Sequence, residues 1–505
     1  MRVFLSAFAV FLGLSMSWAM VSPLMAVPDE PSHTIHAAAV VRGQLTGEPG
    51  THPSWKYVQV PEYVERAESQ LCFAQHPEVS AACAAPLTHS AELVRARTTA
   101  GTYNPLYYAA VGLPSLWLSG PAAIYAMRLV SCLISALLLA GAVVAVTRTR
   151  SSGFTLLALA VGVSPMVLFL SGAVNPSGTE FASAAMAFAW LHQLARSARL
   201  GRVPWREVAC VVGAAIVLVN TRPIAIAWLA VFIVATLADL GVIRMLVRSR
   251  VFWGGVLVIG AAVAGSAAWT ISTASLSVSH PGPGAGMSFP RAFVYMVGLS
   301  LDYIRDYVGI FGWFDTTIPT GTTVAWGAAF LLPVGAAIVF GRGRAWRTTV
   351  LMAAALVLVP AVVQGRTAHD FGLIWQGRYN IALLLGLMLA AGSALDAAFP
   401  DAFAAPRMVV MAAAGTFLLA FMHVHTFLWV ARRYAVGANG EWGTMLRAPA
   451  WQPPGSWELW TAILAVAAVT GGAAVVHRIR RSRPDEDGRS LPRWAPWGSN
   501  PRPSD

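Results

Sequence analysis

Long apolar runs, separated by connections among which the arginines are spread, set the rhythm of the chain. Runs of about 20 apolar residues are long enough to cross a bilayer as helices. Twelve can be placed, at roughly 3–22, 121–146, 152–172, 176–195, 206–220, 223–242, 251–270, 322–340, 347–364, 379–395, 407–430 and 457–476. The pattern predicts an all-α polytopic membrane protein of about 12 transmembrane helices, with residues 1–480 forming one membrane domain. The fifth run is the shortest, and only Thr221-Arg222 joins it to the sixth.

The polar positions between the runs are concentrated in four connections too large to be simple turns. The first, about 23–120, holds Cys72 and Cys83, and the oxidising side of a membrane favours a disulfide between them. It ends with Tyr103-Asn104-Pro105-Leu106-Tyr107-Tyr108 and a short apolar stretch to Leu118, which reads as an interfacial or re-entrant helix. The second, about 271–321, opens with His280-Pro281-Gly282-Pro283-Gly284 and continues as an aromatic segment, Tyr295 to Phe314, expected to lie along the membrane surface. The third, 365–378, contains Arg366, His369 and Asp370; the fourth, 431–456, contains Arg432, Arg433 and Glu441. Residues 481–505 are rich in Pro, Ser and charge, the composition of a disordered tail.

Composition supports this picture: 56% of the 505 residues are hydrophobic and 11% charged, against about 25% charged in soluble domains. The net charge of +12 comes from 34 arginines and one lysine, Lys56, spread among the connections. They form no single patch, so nucleic acid is not an expected partner and topology is the better explanation. With the N-terminus in the cytoplasm, Arg148 and Arg150, Arg196 to Arg206, Arg244 to Arg250, Arg342 to Arg347 and Arg478 to Arg483 all fall on the cytoplasmic side. Only the tenth connection is poor, with Arg407 alone. Both termini are therefore expected in the cytoplasm of a plasma-membrane protein. Segment 3–22 could instead be a cleaved signal peptide; Asp29 faces outward in either case.

On that outward side the ionisable residues gather. Pro28-Asp29-Glu30-Pro31-Ser32-His33 follows the first run; Asn175-Pro176-Ser177-Gly178 and Glu180 open the fourth; Arg222 lies between the fifth and sixth; Asp302 and Arg305 sit in the surface segment; Gln376-Gly377-Arg378-Tyr379 leads into the tenth. Ionisable groups at membrane depth are costly unless paired or used. An Asp or Glu can take a proton from an acceptor hydroxyl, and arginines can hold a phosphate leaving group through bidentate bonds. The combination points to glycosyl transfer from a lipid-phosphate sugar.

Each element also has a plainer role. Asp29 or Glu30 could cap a helix starting near Pro31, and Asn175-Pro176 could be a turn and cap. Arg128 could snorkel to the interface, and Asp302 with Arg305 could form a surface ion pair. His33 and His36 lack a third ligand, so no metal is assigned, although a divalent ion stays open. No other cofactor motif is present. A transporter or flippase of lipid-linked sugars is the alternative to an enzyme; the chain shows no internal repeat of the kind many transporters carry.

The Pro28-Asp29-Glu30-Pro31-x-His33 run, the Asn175-Pro176-x-Gly178-x-Glu180 turn and the Gln376-Gly377-Arg378-Tyr379 entry resemble an uncharacterised bacterial membrane-protein family, a domain of unknown function common in actinobacteria. More widely, an early acidic residue in the first outer loop, Pro105 to Tyr108 followed by Arg128, and a sizeable loop between the seventh and eighth runs resemble the GT-C class of polyprenyl-phosphate-sugar-dependent glycosyltransferases. That resemblance implies a polyprenyl-phosphate sugar donor and an extracytoplasmic glycan, lipid or protein acceptor. It makes Asp29 the catalytic base, with Glu30 as neighbour or substitute. It makes Arg128, Arg222 and Arg378 candidates for the donor phosphate, and His33, Tyr107, Asn175, Glu180, Asp302, Arg305, Gln376 and Tyr379 further binding candidates. The chain lacks the large soluble C-terminal domain that many cell-wall transferases of the class carry.

Overall fold

The computed structural model describes residues 1–50, 52, 55–149, 151–276 and 282–481. Arg150, His280, Pro281 and the tail from 482 onward, with Arg483, lie outside the described residues. Helix α1 (Arg2–Val21) is the first apolar run and is followed by α2 (Glu30–Val40). The first loop then forms strands β1 (Glu48–Pro49), β2 (Lys56–Pro61) and β3 (Leu93–Thr98), with α3 (Glu62–Glu65) and α4 (Pro105–Val111). Next come α5 (Gly120–Val146), α6 (Gly153–Gly162), α7 (Pro165–Ser171), α8 (Pro176–Arg199), α9 (Trp205–Val219), α10 (Ala225–Leu237), α11 (Leu240–Val247) and α12 (Arg250–Ser272). The second large loop carries α13 (Phe289–Gly298) and α14 (Tyr303–Val308). The chain continues with α15 (Thr320–Phe340), α16 (Gly343–Phe371), α17 (Ile381–Ala398), α18 (Pro406–Val436), α19 (Trp442–Arg447) and α20 (Trp457–Arg481).

The protein is thus a helical, multi-pass membrane protein. Eight described helices are long and apolar enough to cross a membrane, or up to ten if each of two bent pairs counts as one span. This is fewer than the twelve expected, although each expected run is helical. Of the two runs outside that count, 206–220 is the 15-residue α9, short of the about 20 residues a span needs. The other, α8, is diluted by Ser177, Thr179, Glu180, Ser183, His192 and Gln193, polar residues on a helix buried among its neighbours.

The bends have local causes. Pro165 cannot continue α6, and Ser164 caps a new helix by accepting from Val167 N at 3.4 Å, so α6 and α7 meet at 62°. Asp239 Oδ1 accepts from Gly241 N and Val242 N and starts α11 at 107° to α10, which ends the sixth run at Leu237. Two helices overshoot the expected loops: α16 runs through Arg366, His369 and Asp370, and α18 runs through Arg432 and Arg433. At 1.5 Å per residue the 29 residues of α16 span about 44 Å, well beyond the ~30 Å hydrocarbon layer. Hydropathy alone marks only the part of such a helix that would sit in lipid.

At the centre lie α8 and α17; every residue of α17 from Ile381 to Asp396 except Ser393 is buried. The first loop is a small folded layer. Strand β2 pairs antiparallel with β1 and β3, with Lys56 opposite Thr98 and Pro61 opposite Leu93, and Val58, Val60 and Ala96 pack on Ile35 and Ala38 of α2. Cys72 and Cys83 are bonded to each other in this layer. Arg433 of α18 fastens it to the second loop. Its guanidinium donates to Val79 O, Phe73 O, His76 O, Thr316 Oγ1 and Asp315 Oδ2, the last also accepting from Gln75 N.

Candidate functional site

Asp29 occupies the cap position of α2, but its side chain makes no cap hydrogen bond. A cap oxygen takes its proton from the second or third residue of a helix, and Pro31, near the start of α2, has no N–H to give. Asp29 adopts left-handed backbone, φ 67°, which Asp tolerates better than most residues. Its carboxylate is half exposed, with Oδ2 3.4 Å from Arg378 Nη2.

Glu30, one residue on, has the opposite fate. It is fully buried, and Arg128 Nε and Nη2 donate to its two oxygens at 2.7 and 2.6 Å, while Val174 N donates to Oε1 at 3.1 Å. The remaining Arg128 donors go to Ala19 O, Ser22 O and Pro23 O at 2.7–2.8 Å. All five guanidinium N–H groups are therefore used. The pair is a strut joining α1, α2 and α5. Arg128 has no donor left for a phosphate, and Glu30 has no exposed edge to offer an acceptor hydroxyl.

Arg222 and Arg378 are arranged differently. Among the described residues, Arg222 makes one hydrogen bond, Nη2 to Ser177 Oγ at 2.8 Å, and its Nε lies 3.6 Å from Glu180 Oε2. Arg378, 5% exposed, makes one hydrogen bond among the described residues, the long contact to Asp29. Among those residues the Nε atoms of both are buried without a hydrogen-bond partner. Tyr379 lies 5.1 Å from the Arg222 guanidinium and 5.7 Å from that of Arg378, and Phe314 is 5.1 Å from Arg378. Two buried guanidiniums therefore flank one aromatic ring beside an accessible carboxylate. Buried charges left underpaired cost several kcal/mol each, and an anion seated there would supply what the protein does not.

The remaining candidates separate into supports and outliers. Glu180 accepts from Trp228 Nε1 at 2.9 Å and stands behind Arg222. Asn175 Oδ1 caps α8 through Ser177 N at 3.0 Å, and its Nδ2 donates to Pro28 O at 3.3 Å, tying the fourth run to the Asp29 turn. Gly178 lets α7 and α8 meet closely, since a Cβ there would stand 2.5 Å from Ser171 Cα. His33 Nδ1 is 2.7 Å from Tyr108 Oη, and burial, with Arg222, His36 and Arg378 nearby, holds its imidazole neutral well below the usual histidine range. Tyr107 Oη is hydrogen-bonded to Ser131 Oγ at 2.7 Å, and the ring is buried with Val40, Met127 and Val174. Gln376 Oε1 is buried without a partner. Asp302 and Arg305 are exposed and form no ion pair with each other among the described residues.

Several neighbours are assigned no site role from the sequence. Asp306 Oδ2 accepts from Gly377 N at 2.8 Å, and burial raises its carboxyl above the usual range. Gly377 has to be glycine here, because a Cβ would stand 2.6 Å from Asp306 Oδ2 and from Tyr303 Cδ1. Trp313 Nε1 donates to Met25 O at 3.0 Å. Met25 and Phe314, like Asp29, have positive φ, 64° and 62°. Three strained non-glycine residues thus converge on one site, as stored strain tends to do where geometry matters. An aromatic segment was legible around Trp313 and Phe314; its backbone conformation was not.

A family model described as "Predicted membrane protein (DUF2142)" matches residues 12–387. No curated protein sequence matches the chain. Among solved structures, the chain is similar to ArnT from Cupriavidus metallidurans bound to undecaprenyl phosphate, with TM-score 0.44 and 15% identity, covering 93% of this chain and 77% of that one. The apo state of the same protein gives 0.42 and 14%, covering 92% and 75%.

Proposed function

The chain belongs to the DUF2142 family of predicted membrane proteins, and from that premise we propose that it is a glycosyltransferase. It moves a sugar from a polyprenyl-phosphate donor to an acceptor outside a bacterial plasma membrane. Both termini are cytoplasmic in this reading, because four of the short connections opposite the Asp29 face are rich in arginine. Residues 1–480 act as one catalytic membrane domain.

One observation carries the proposal: the underused, buried guanidiniums of Arg222 and Arg378 stand beside the uncapped carboxylate of Asp29, whereas Arg128 and Arg433 spend their donors on the protein itself. In the reaction, Asp29 takes the proton of an acceptor hydroxyl as that oxygen attacks the anomeric carbon. The bond from the anomeric carbon to the phosphate oxygen breaks on the opposite side, so configuration inverts. The charge left on the lipid phosphate falls to Arg222 and Arg378, with Glu180 and Tyr379 fixing the guanidinium positions. Asp29→Asn should reduce transfer by the about 10²–10⁴-fold that a positioned base contributes, while expression and polyprenyl-phosphate binding persist. Full activity in that variant would remove Asp29 from the role.

A flippase of lipid-linked sugars is the second reading, favoured by the two bent helix pairs, since broken helices often line transport sites. It predicts lipid scrambling in vesicles without any change in the sugar's linkage.

A further inference from the structure

We infer that the acceptor is a neutral saccharide whose end residue enters a pocket built by the first loop. This rests on the glycosyl-transfer reading above. Asp29 lines a recess of about 240 Å³ to which neither Arg222 nor Arg378 contributes. Its walls include Trp55, Trp313, Glu68, Arg97, Ser32 and Thr99. Asp29 therefore stands between two chemically different surroundings, one cationic and one mixed aromatic and polar.

The pocket is preorganised. Trp313 is pinned through Nε1 to Met25 O at 3.0 Å. The Arg97 guanidinium lies 4.5 Å over the Trp55 ring and reaches Glu68 Oε1 at 3.5 Å. Thr99 Oγ1 donates to Ser32 Oγ at 2.9 Å. Indole surfaces match the apolar C–H faces of a sugar ring, and a few placed carboxylate, guanidinium and hydroxyl groups match its hydroxyls.

The same walls disfavour other acceptors. With Arg97 paired to Glu68, the lining keeps Asp29 as its surplus charge, which disfavours a phosphorylated one. Ile35 and Leu71 are the aliphatic side chains in the lining, too few for an acyl chain. The volume lies below the about 300–1,000 Å³ of sites that enclose drug-sized ligands, which suits one terminal sugar rather than a long stretch of glycan.

The test uses the full-length protein in lipid nanodiscs, screened against an array of unmodified gluco-, manno-, galacto- and arabino-oligosaccharides. Binders are titrated by intrinsic tryptophan fluorescence, and a short-chain polyprenyl phosphate is titrated separately. Saturable glycan binding is expected, weakened at least about tenfold by Trp55→Ala, the scale of a lost aromatic anchor, and largely restored in Trp55→Phe. Arg378→Ala should leave glycan binding in place while weakening polyprenyl-phosphate binding. Glycan binding indifferent to Trp55→Ala, or no glycan binding by protein that does bind polyprenyl phosphate, would each overturn the inference and leave the donor reading intact. Glycan binding that responds to Trp55, in protein blind to polyprenyl phosphate, would uphold the pocket and sink the donor reading.

Discussion

Asp29 and Glu30 are adjacent and chemically alike, yet the fold assigns them opposite roles through their partners. Glu30 meets a guanidinium with all five donors engaged; Asp29 faces one with donors to spare. Removing one partner of a buried pair leaves an uncompensated charge, at a cost of about 3–5 kcal/mol. Arg128→Ala should therefore lower the thermal unfolding midpoint and the yield of folded protein, with Glu30→Gln doing the same, while Asp29→Asn leaves the midpoint unchanged in a melting assay. The sequence singled out Asp29, Arg222 and Arg378 because charge at membrane depth is conspicuous. The charge pattern did not separate Arg222 and Arg378 from Arg128, and it was the resemblance that ranked Asp29 above Glu30, since the partner that neutralises Glu30 lies 98 residues away and no periodicity reports such a pairing.

At the scale of elements, apolar periodicity located the helices and missed what continues beyond the bilayer. The ends of α16 and α18, the break before Pro165 and the sheet in the first loop depend on caps, prolines and strand pairing, which hydropathy does not report. The turn between α16 and α17 is the sharpest example. Gly377 presses against α14, and its N–H is held by Asp306, which fixes the approach of Arg378. Gly377→Ala should push α14 outward and reduce polyprenyl-phosphate binding and transfer together, with a destabilisation of about 1–3 kcal/mol, the usual cost of overpacking. Transfer rates and a denaturation curve on the same preparation would check both effects.

Across the whole molecule, the first-loop layer packs on α2, a helix whose two histidines are kept neutral by burial. Burial lowers the imidazole of His36 from 6.5 to about 4, and His33 is lowered as well. Because the unfolded chain protonates first as pH falls, the stabilisation is complete above about pH 6.5 and is lost between 6.5 and 4. The melting midpoint should drop across that window, and drop less in His36→Gln. A midpoint flat from pH 7 to 4 would show that these rings do not gate the layer.

The Asp29–Arg378 contact joins residues 349 positions apart. At about 5–20 residues per second of synthesis, Arg378 is made about 17–70 s after Asp29. Spans that enter the membrane early carry a carboxylate without its cationic neighbour for all of that time. A chain truncated before Arg378 keeps Asp29, Arg128 and Arg222 but lacks the Asp29–Arg378 contact, and it also lacks Arg433, which fastens the first loop. Assembly order thus leaves the Asp29 side of the site incomplete until Arg378 has been made.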